Sequence, residues 1–289
     1  MSKDSIIIGK EGVFMSYIVG IDVGGSTTKI VAFDHNENIV APMFVTAEDQ
    51  MTSIYGAFGK FTSTNNIKLS DVDKIMITGV GSTFIGEELY GIECQHVSEF
   101  QSVGIGGQYL SGLDRALVVS MGTGTACVYA NGKERTYIGG TGAGGGTIMG
   151  LSKLMLGVSD INTLSTRAEE GDLSKIDLFI GDITNKSISP TLEDTTTAAN
   201  FGNLSELAVH SDIALGILNL IFETVGMVAV FASRSCDIKD IVLTGTLTRI
   251  PQAKPIYDKM SAMFGVNFII PDYSRYGTVI GAALSYFKK

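Results

Sequence analysis

The sequence predicts an α/β protein made of two similar mixed-sheet halves that face each other across a cleft. Three observations carry this. An order of three strands, helix, strand, helix occurs twice, with a join near residues 113–117. Each half opens with a strand hairpin turned on glycine. Among 289 residues, 45% are hydrophobic and 18% charged, which is a globular balance, and 35 Gly against 5 Pro argues for tight turns inside an ordered fold.

Residues 17–23 and 29–34 alternate as strands around Gly24-Gly25, and 38–45 reads as a third antiparallel strand. Residues 50–62 have helical spacing. Residues 73–78 form a strand ending in Gly79, 95–97 a short strand and 98–110 a helix. The order then restarts. Residues 115–121 and 125–130 flank Gly122-Thr123-Gly124, Asn131-Gly132 suits a hairpin turn, and 135–138 pairs back. A helix over 144–156, a long apolar helix over 211–233, strands at 240–244 and 266–270 and a helix over 276–287 complete the chain. The expected domains are 15–114 and 115–289, the second carrying a dimerisation helix at 211–233. Gly216 and Gly226 on one stripe of that helix allow either core packing or close approach of a second copy.

Several function classes are excluded. Lys+Arg 21 against Asp+Glu 30 gives a net charge of −9, a poor match for nucleic acid. The three cysteines, Cys94, Cys127 and Cys236, are scattered, so neither a disulfide framework nor a zinc site is expected and a reducing cytoplasm fits. His35, His96 and His210 are equally dispersed. The apolar run 213–232 is long enough to span a bilayer, but Asn219 and Glu223 at its centre favour a buried helix, so no membrane partner is expected. Residues 1–14 read as an N-terminal extension. Lys10-Glu11-Gly12 can be encoded as a ribosome-binding sequence ahead of Met15, which makes Met15 an alternative start.

Four glycine loops carry the chemistry. In the first, Gly24 and Gly25 let the backbone approach phosphate oxygens, Ser26 and Thr27 add hydroxyl donors, Lys29 adds a charge, and Asp22 at the strand end suits magnesium. Gly122, Thr123 and Gly124 echo this turn in the second half, so the two loops read as opposed clamps on one polyphosphate. The third loop has six glycines in the eight residues 139–146. Gly142, Gly144, Gly145 and Gly146 precede a helix and would bare N–H groups to an anion. Gly245 follows a strand, where a base or ribose could be covered. Neither a P-loop nor a dinucleotide-binding fingerprint is present.

With the segments 97–100 (V-S-E-F), 138–151 (I-G-G-T-G-A-G-G-G-T-I-M-G-L) and 197–202 (T-A-A-N-F-G), the sequence resembles the type II pantothenate kinases of the actin–hexokinase–chaperone ATPase superfamily over residues 17–289. The resemblance implies an actin-like fold, ATP and Mg2+, transfer of a phosphoryl group to the primary hydroxyl of pantothenate as the first step to coenzyme A, and a homodimer. It implies Glu99 as the general base and places Thr123 and Thr125 on the substrate side. Glu99 also sits in the first turn of a helix, where the dipole favours a carboxylate. One position departs from the family pattern. An arginine before the third loop contacts substrate in that family, and here Tyr137 stands there. Arg135, two residues earlier on the same strand face, is the expected compensating contact. Pantetheine or a sugar is the alternative acceptor. An ATP-driven dehydratase activator shares the opening loop but needs paired cysteines for its iron–sulfur cluster.

Overall fold

The computed structural model describes residues 16–25, 27–46, 49–184 and 193–288. The N-terminal extension and Ser26 lie outside them. The first half begins with β1 (Tyr17–Val23), β2 (Thr28–Asp34) and β3 (Ile39–Val45), followed by α1 (Gln50–Thr64), β4 (Val72–Thr78), β5 (Glu88–Leu89), β6 (Ile92–His96) and α2 (Glu99–Ser111). The second begins with β7 (Arg115–Met121), β8 (Thr125–Asn131) and β9 (Glu134–Thr141), followed by α3 (Gly145–Leu156), α4 (Ile161–Ala168), β10 (Leu178–Phe179), α5 (Ile180–Ile183), β11 (Thr197–Ala199) and α6 (His210–Ser235). It closes with β12 (Asp240–Thr244), α7 (Ala253–Phe264), β13 (Asn267–Ile269) and α8 (Gly277–Leu284).

The two sheets share one plan. The first runs β3-β2-β1-β4-β6-β5 and the second β9-β8-β7-β12-β13. In each, the opening strands form antiparallel hairpins and the first strand then pairs in parallel with later ones. Alternation explains the faces. Val19, Ile21 and Val23 point to the cluster that Ile54, Phe58 and Phe61 of α1 close, while Val31 and Phe33 point to the cluster of α8.

The two sheets lie on either side of residues 112–114, but the helices cross that division. Helix α2 packs beneath β7, β8 and β9 of the second sheet, and α8, at the end of the chain, packs on β1, β2 and β4 of the first. The two helices cross at glycine. A Cβ on Gly106 would overlap the Gly277 carbonyl, and one on Gly281 the Ser102 carbonyl. Such backbone contact is open only to residues without a side chain.

Helix α6 is long and apolar enough to cross a membrane, yet most of its length is buried in the larger core cluster. Its central polar groups are satisfied. Asn219 Nδ2 donates to Asp177 Oδ2 at 2.8 Å, and Glu223 accepts from Thr197 Oγ1 and Asn200 Nδ2, each at 2.9 Å. The segment 197–202 thus docks the β10–β11 hairpin onto α6. The glycine stripe is also filled from within the chain: Gly216 faces Ile176 and Phe201, and Gly226 faces Met260 and Tyr257. Core packing, not a second copy, accounts for those glycines.

Overpacking a crossing of this kind costs about 1–3 kcal/mol or more. Gly106→Ala is therefore expected to destabilise the fold by at least that amount in chemical denaturation. Gly56→Ala on α1, where a Cβ meets nothing within 4 Å, should gain about 0.5–1 kcal/mol from helix propensity.

Candidate active site

The ends of β1, β2, β4 and β6 bring the first cluster together. Asp22 and Lys29 are register partners on the opening hairpin, and both are buried. Lys29 Nζ lies 3.4 Å from Asp22 Oδ2. Gly79, at the end of β4 with φ +89°, is required on two counts. Its backbone angle suits only glycine, and a Cβ would sit 2.6 Å from Asp22 Oδ1. Across from it, Thr78 Oγ1 donates to the Val97 carbonyl, which fixes the turn into Ser98 and Glu99 at the start of α2.

Glu99 lies at the exposed start of α2, within electrostatic reach of this pair. Its first-turn position favours the carboxylate, yet its pKa is raised: partial desolvation is the main cause, Asp22 adds to it, and Lys29 offsets part. A carboxylate moved toward neutrality is a better proton acceptor at physiological pH.

The two hairpin loops meet. The nearest atom to a Cβ built on Gly25 is Thr123 Oγ1, at 3.9 Å. The first loop is held by the Gly24 N–H donating to Thr27 O at 2.9 Å, and the second by the Gly122 N–H donating to Gly124 O at 2.9 Å. Thr123 is exposed between them.

The third and fourth loops behave differently from expectation. The Gly145 and Gly146 N–H groups donate to the carbonyls of Gly122 and Thr123, both at 2.9 Å. A Cβ on Gly144 would lie 2.6 Å from Thr123 O. These glycines let the start of α3 press against the second loop, and the Gly145 and Gly146 N–H groups are not bared to an anion. Gly142 is the exception, with open space around it. Thr125 is buried, and its hydroxyl donates to Ala143 O at 2.8 Å, so it braces the third loop instead of facing a substrate. The Gly245 N–H donates to Ser274 O at 2.9 Å, and its Cα presses on the backbone of Met121.

Arg135 and Tyr137 do share the face toward α2, but Arg135 is turned away from Glu99. Its stem covers Gly104, and its guanidinium donates to Gln108 Oε1 and Lys133 O, both at 2.7 Å, and to Gly132 O at 3.0 Å. It clamps the β8–β9 turn to the far end of α2. Burial lowers its pKa, and nearby Asp114 opposes that shift. Tyr137 instead stacks on Phe100, with ring centroids 4.1 Å apart. The role of Phe100 escaped the sequence reading; an aromatic residue directly after the candidate base was the available signal.

The cysteines do not form a cluster site. Cys94 and Cys127 are buried, their thiols pushed up to about 11 chiefly by burial. Among the described residues no group of three or more His, Cys, Asp or Glu could hold a metal.

Two like-built domains with opposed hairpin loops are the architecture of the actin-like fold class. The activator of 2-hydroxyisocaproyl-CoA dehydratase from Clostridium difficile, solved with bound ADPNP, matches this fold with a TM-score of 0.67 at 19% identity, over 94% of each chain. The chain belongs to the Fumble family, whose model matches residues 43–264. It is similar to the type II pantothenate kinase of Bacillus cereus (strain G9842), 28% identical over 241 residues covering 80% of this chain and 84% of the relative. It is also similar to the type II pantothenate kinase of Oceanobacillus iheyensis, 28% identical over 276 residues covering 92% and 98%.

Two outcomes are expected. Folding raises the Glu99 pKa, so its ionisation opposes the folded state. The stabilising share is present below the unfolded pKa and lost as pH rises through the folded one. Glu99→Gln should therefore raise Tm at pH 7 and lose that advantage below about pH 4. Carboxyl NMR should place Glu99 above an ordinary glutamate, moved down by Asp22→Asn and up by Lys29→Met. Separately, Arg135→Ala should cost about 1–3 kcal/mol of stability, because it strips partners from buried polar groups, and should leave the acceptor KM within about twofold.

Proposed function

We propose that this protein is an ATP-dependent kinase that phosphorylates the primary hydroxyl of pantothenate to 4'-phosphopantothenate, the first step of coenzyme A biosynthesis. The observation that carries this is the Glu99 carboxyl within electrostatic reach of the Asp22–Lys29 pair, in a member of a family whose relatives are named for that reaction. The hydroxyl loses its proton to Glu99. Its oxygen then forms a bond to the γ-phosphorus, the bond from that phosphorus to the β–γ bridging oxygen breaks, and ADP leaves.

Gly25, Thr27, Thr123 and Gly124 would supply backbone and hydroxyl groups to the ATP phosphates, with Ser26 adjoining them in sequence, while Gly122 closes the second turn. Gly24 closes the first turn, Gly142 borders open space, and Gly144, Gly145, Gly146 and Gly245 act by packing that rim. Magnesium fits the donor chemistry of Asp22. It takes one or two carboxylates together with phosphate oxygens and water, and Gly79 leaves at Oδ1 the room a Cβ would fill. Bound there, the ion would offset phosphate charge. Lys29 holds Asp22 in place and adds a cation.

A cytoplasmic homodimer is part of the proposal. Leu154 of α3, Phe231 of α6 and Leu207 are large apolar side chains left mostly exposed, at 81%, 60% and 80%, and a partner copy would cover such surface. The activator-like alternative is disfavoured by its ligand chemistry, since two of the three thiols are buried and hard to ionise.

Glu99→Gln is expected to lower turnover by about 10²–10⁴-fold while ATP affinity stays nearly unchanged. Coupled assay of ADP release and calorimetric titration with a non-hydrolysable ATP analogue measure the two. Full activity in the variant would remove Glu99 from the chemistry. A wild-type protein that phosphorylates neither pantothenate nor an amide of it would end the kinase proposal.

A further inference from the structure

The cleft wall beside Glu99 is aromatic and carries no available cation. Phe100, the next residue on α2, and Tyr137 of β9 lie nearly parallel, with an interplanar angle of 18°. Both rings remain partly open, at 37% and 48% exposure. Helix α2 has no lysine or arginine, and the one cation on β9 is Arg135. Its two terminal nitrogens donate to Gln108, Gly132 and Lys133, and its Nε is buried with no partner among the described residues. Gln108 lies nine residues past Glu99, roughly 13 Å along the helix axis. On the opposite side, Lys29 is held at Asp22.

These charges decide what the wall can accept. An acceptor with its hydroxyl at Glu99 extends its other end along α2 and β9. A carboxylate at that end would leave water for a wall with no free cation, with Glu99 and Asp22 as like charges behind it. A neutral amide or thioether-like chain loses little hydration, and its flat amide groups and methylenes can lie against the ring faces.

We propose that the Phe100–Tyr137 pair is the specificity-determining wall for the acceptor and selects neutral N-substituted amides of pantothenate, of which pantetheine is the probe, over pantothenate with its free carboxylate. This rests on the kinase proposal above, keeps pantothenate as a slower acceptor and ranks the acceptors of that same site. Tyr137 acts here as a binding surface and not as a group in the chemical step.

The test is steady-state kinetics with ATP and either pantetheine or pantothenate, for wild type, Tyr137→Phe and Tyr137→Arg. Wild type should favour pantetheine at least about tenfold in kcat/KM, with the difference in KM. Tyr137→Phe keeps the ring and should keep the ratio within about twofold. Tyr137→Arg supplies a cation and should raise kcat/KM for pantothenate by about 10–100-fold, as a charge-assisted pair would, without a matching gain for pantetheine. Equal use of both acceptors by wild type, or an unchanged ratio in Tyr137→Arg, would overturn the wall while leaving the kinase proposal intact. Turnover of neither acceptor would overturn both, so the two failures are distinct.

Discussion

The crossing of α2 and α8 is the constraint on which the rest of the site depends. Backbone meets backbone at Gly106, Gly277 and Gly281, which fixes the separation and angle of the two helices more tightly than side-chain packing could. Each helix serves the opposite sheet. Helix α8 seats on β1 at Gly20, two residues before Asp22, and α2 begins with Glu99 and runs beneath β7–β9. The position of Glu99 relative to Asp22 and Lys29 is thus set by one helix crossing and not by a flexible loop.

The electrostatics follow from that placement. A buried ion pair is a weak source of stability because desolvation offsets much of its attraction, so Asp22–Lys29 is better understood as a fixed local field. It acts on Glu99 in both directions, Asp22 raising the pKa and Lys29 lowering it, beside the larger effect of partial desolvation. The protein bears a net charge of −9, and two of its cations near the cleft are already bound internally, Lys29 by Asp22 and Arg135 by the hairpin turn. In the kinase proposed above, charge neutralisation of a polyphosphate would fall to backbone N–H groups, hydroxyls, Lys29 and a metal ion.

Much of the fold could be read in the sequence because its signals are local. The paired hairpins, with strands at 17–23 and 115–121, show in the alternation of apolar residues around glycine turns. The exchange of α2 and α8 could not be read, since neither helix pattern states which sheet it covers. α4, α7 and the β10–β11 hairpin also went unread: they are short and mixed in polarity, and they take their place from contacts with α6. At the site, the glycine turns and the first-turn glutamate pointed to Asp22, Glu99 and the two loops, which the structure brings near one another. The third loop was misjudged because a glycine run signals close approach to a backbone or a ligand alike, and here the partner is the Gly122–Thr123 backbone. For Arg135 the strand period gave the correct face. It could not give the direction along the strand in which a long side chain would turn.

The reciprocal placement of the last helix also bears on how the chain is made. While the ribosome is still extending the second half, the finished strands β1, β2 and β4 lack the cover that α8 provides, and Val31 and Phe33 have only Ile39 and the Ile105, Tyr109 and Leu110 side chains of α2 on that face. The first domain therefore stays incomplete until α8 has emerged. Contacts so distant in sequence make folding slow and leave apolar surface open in the interval. A nascent chain of this architecture would be a natural client for chaperones that shield exposed sheet faces.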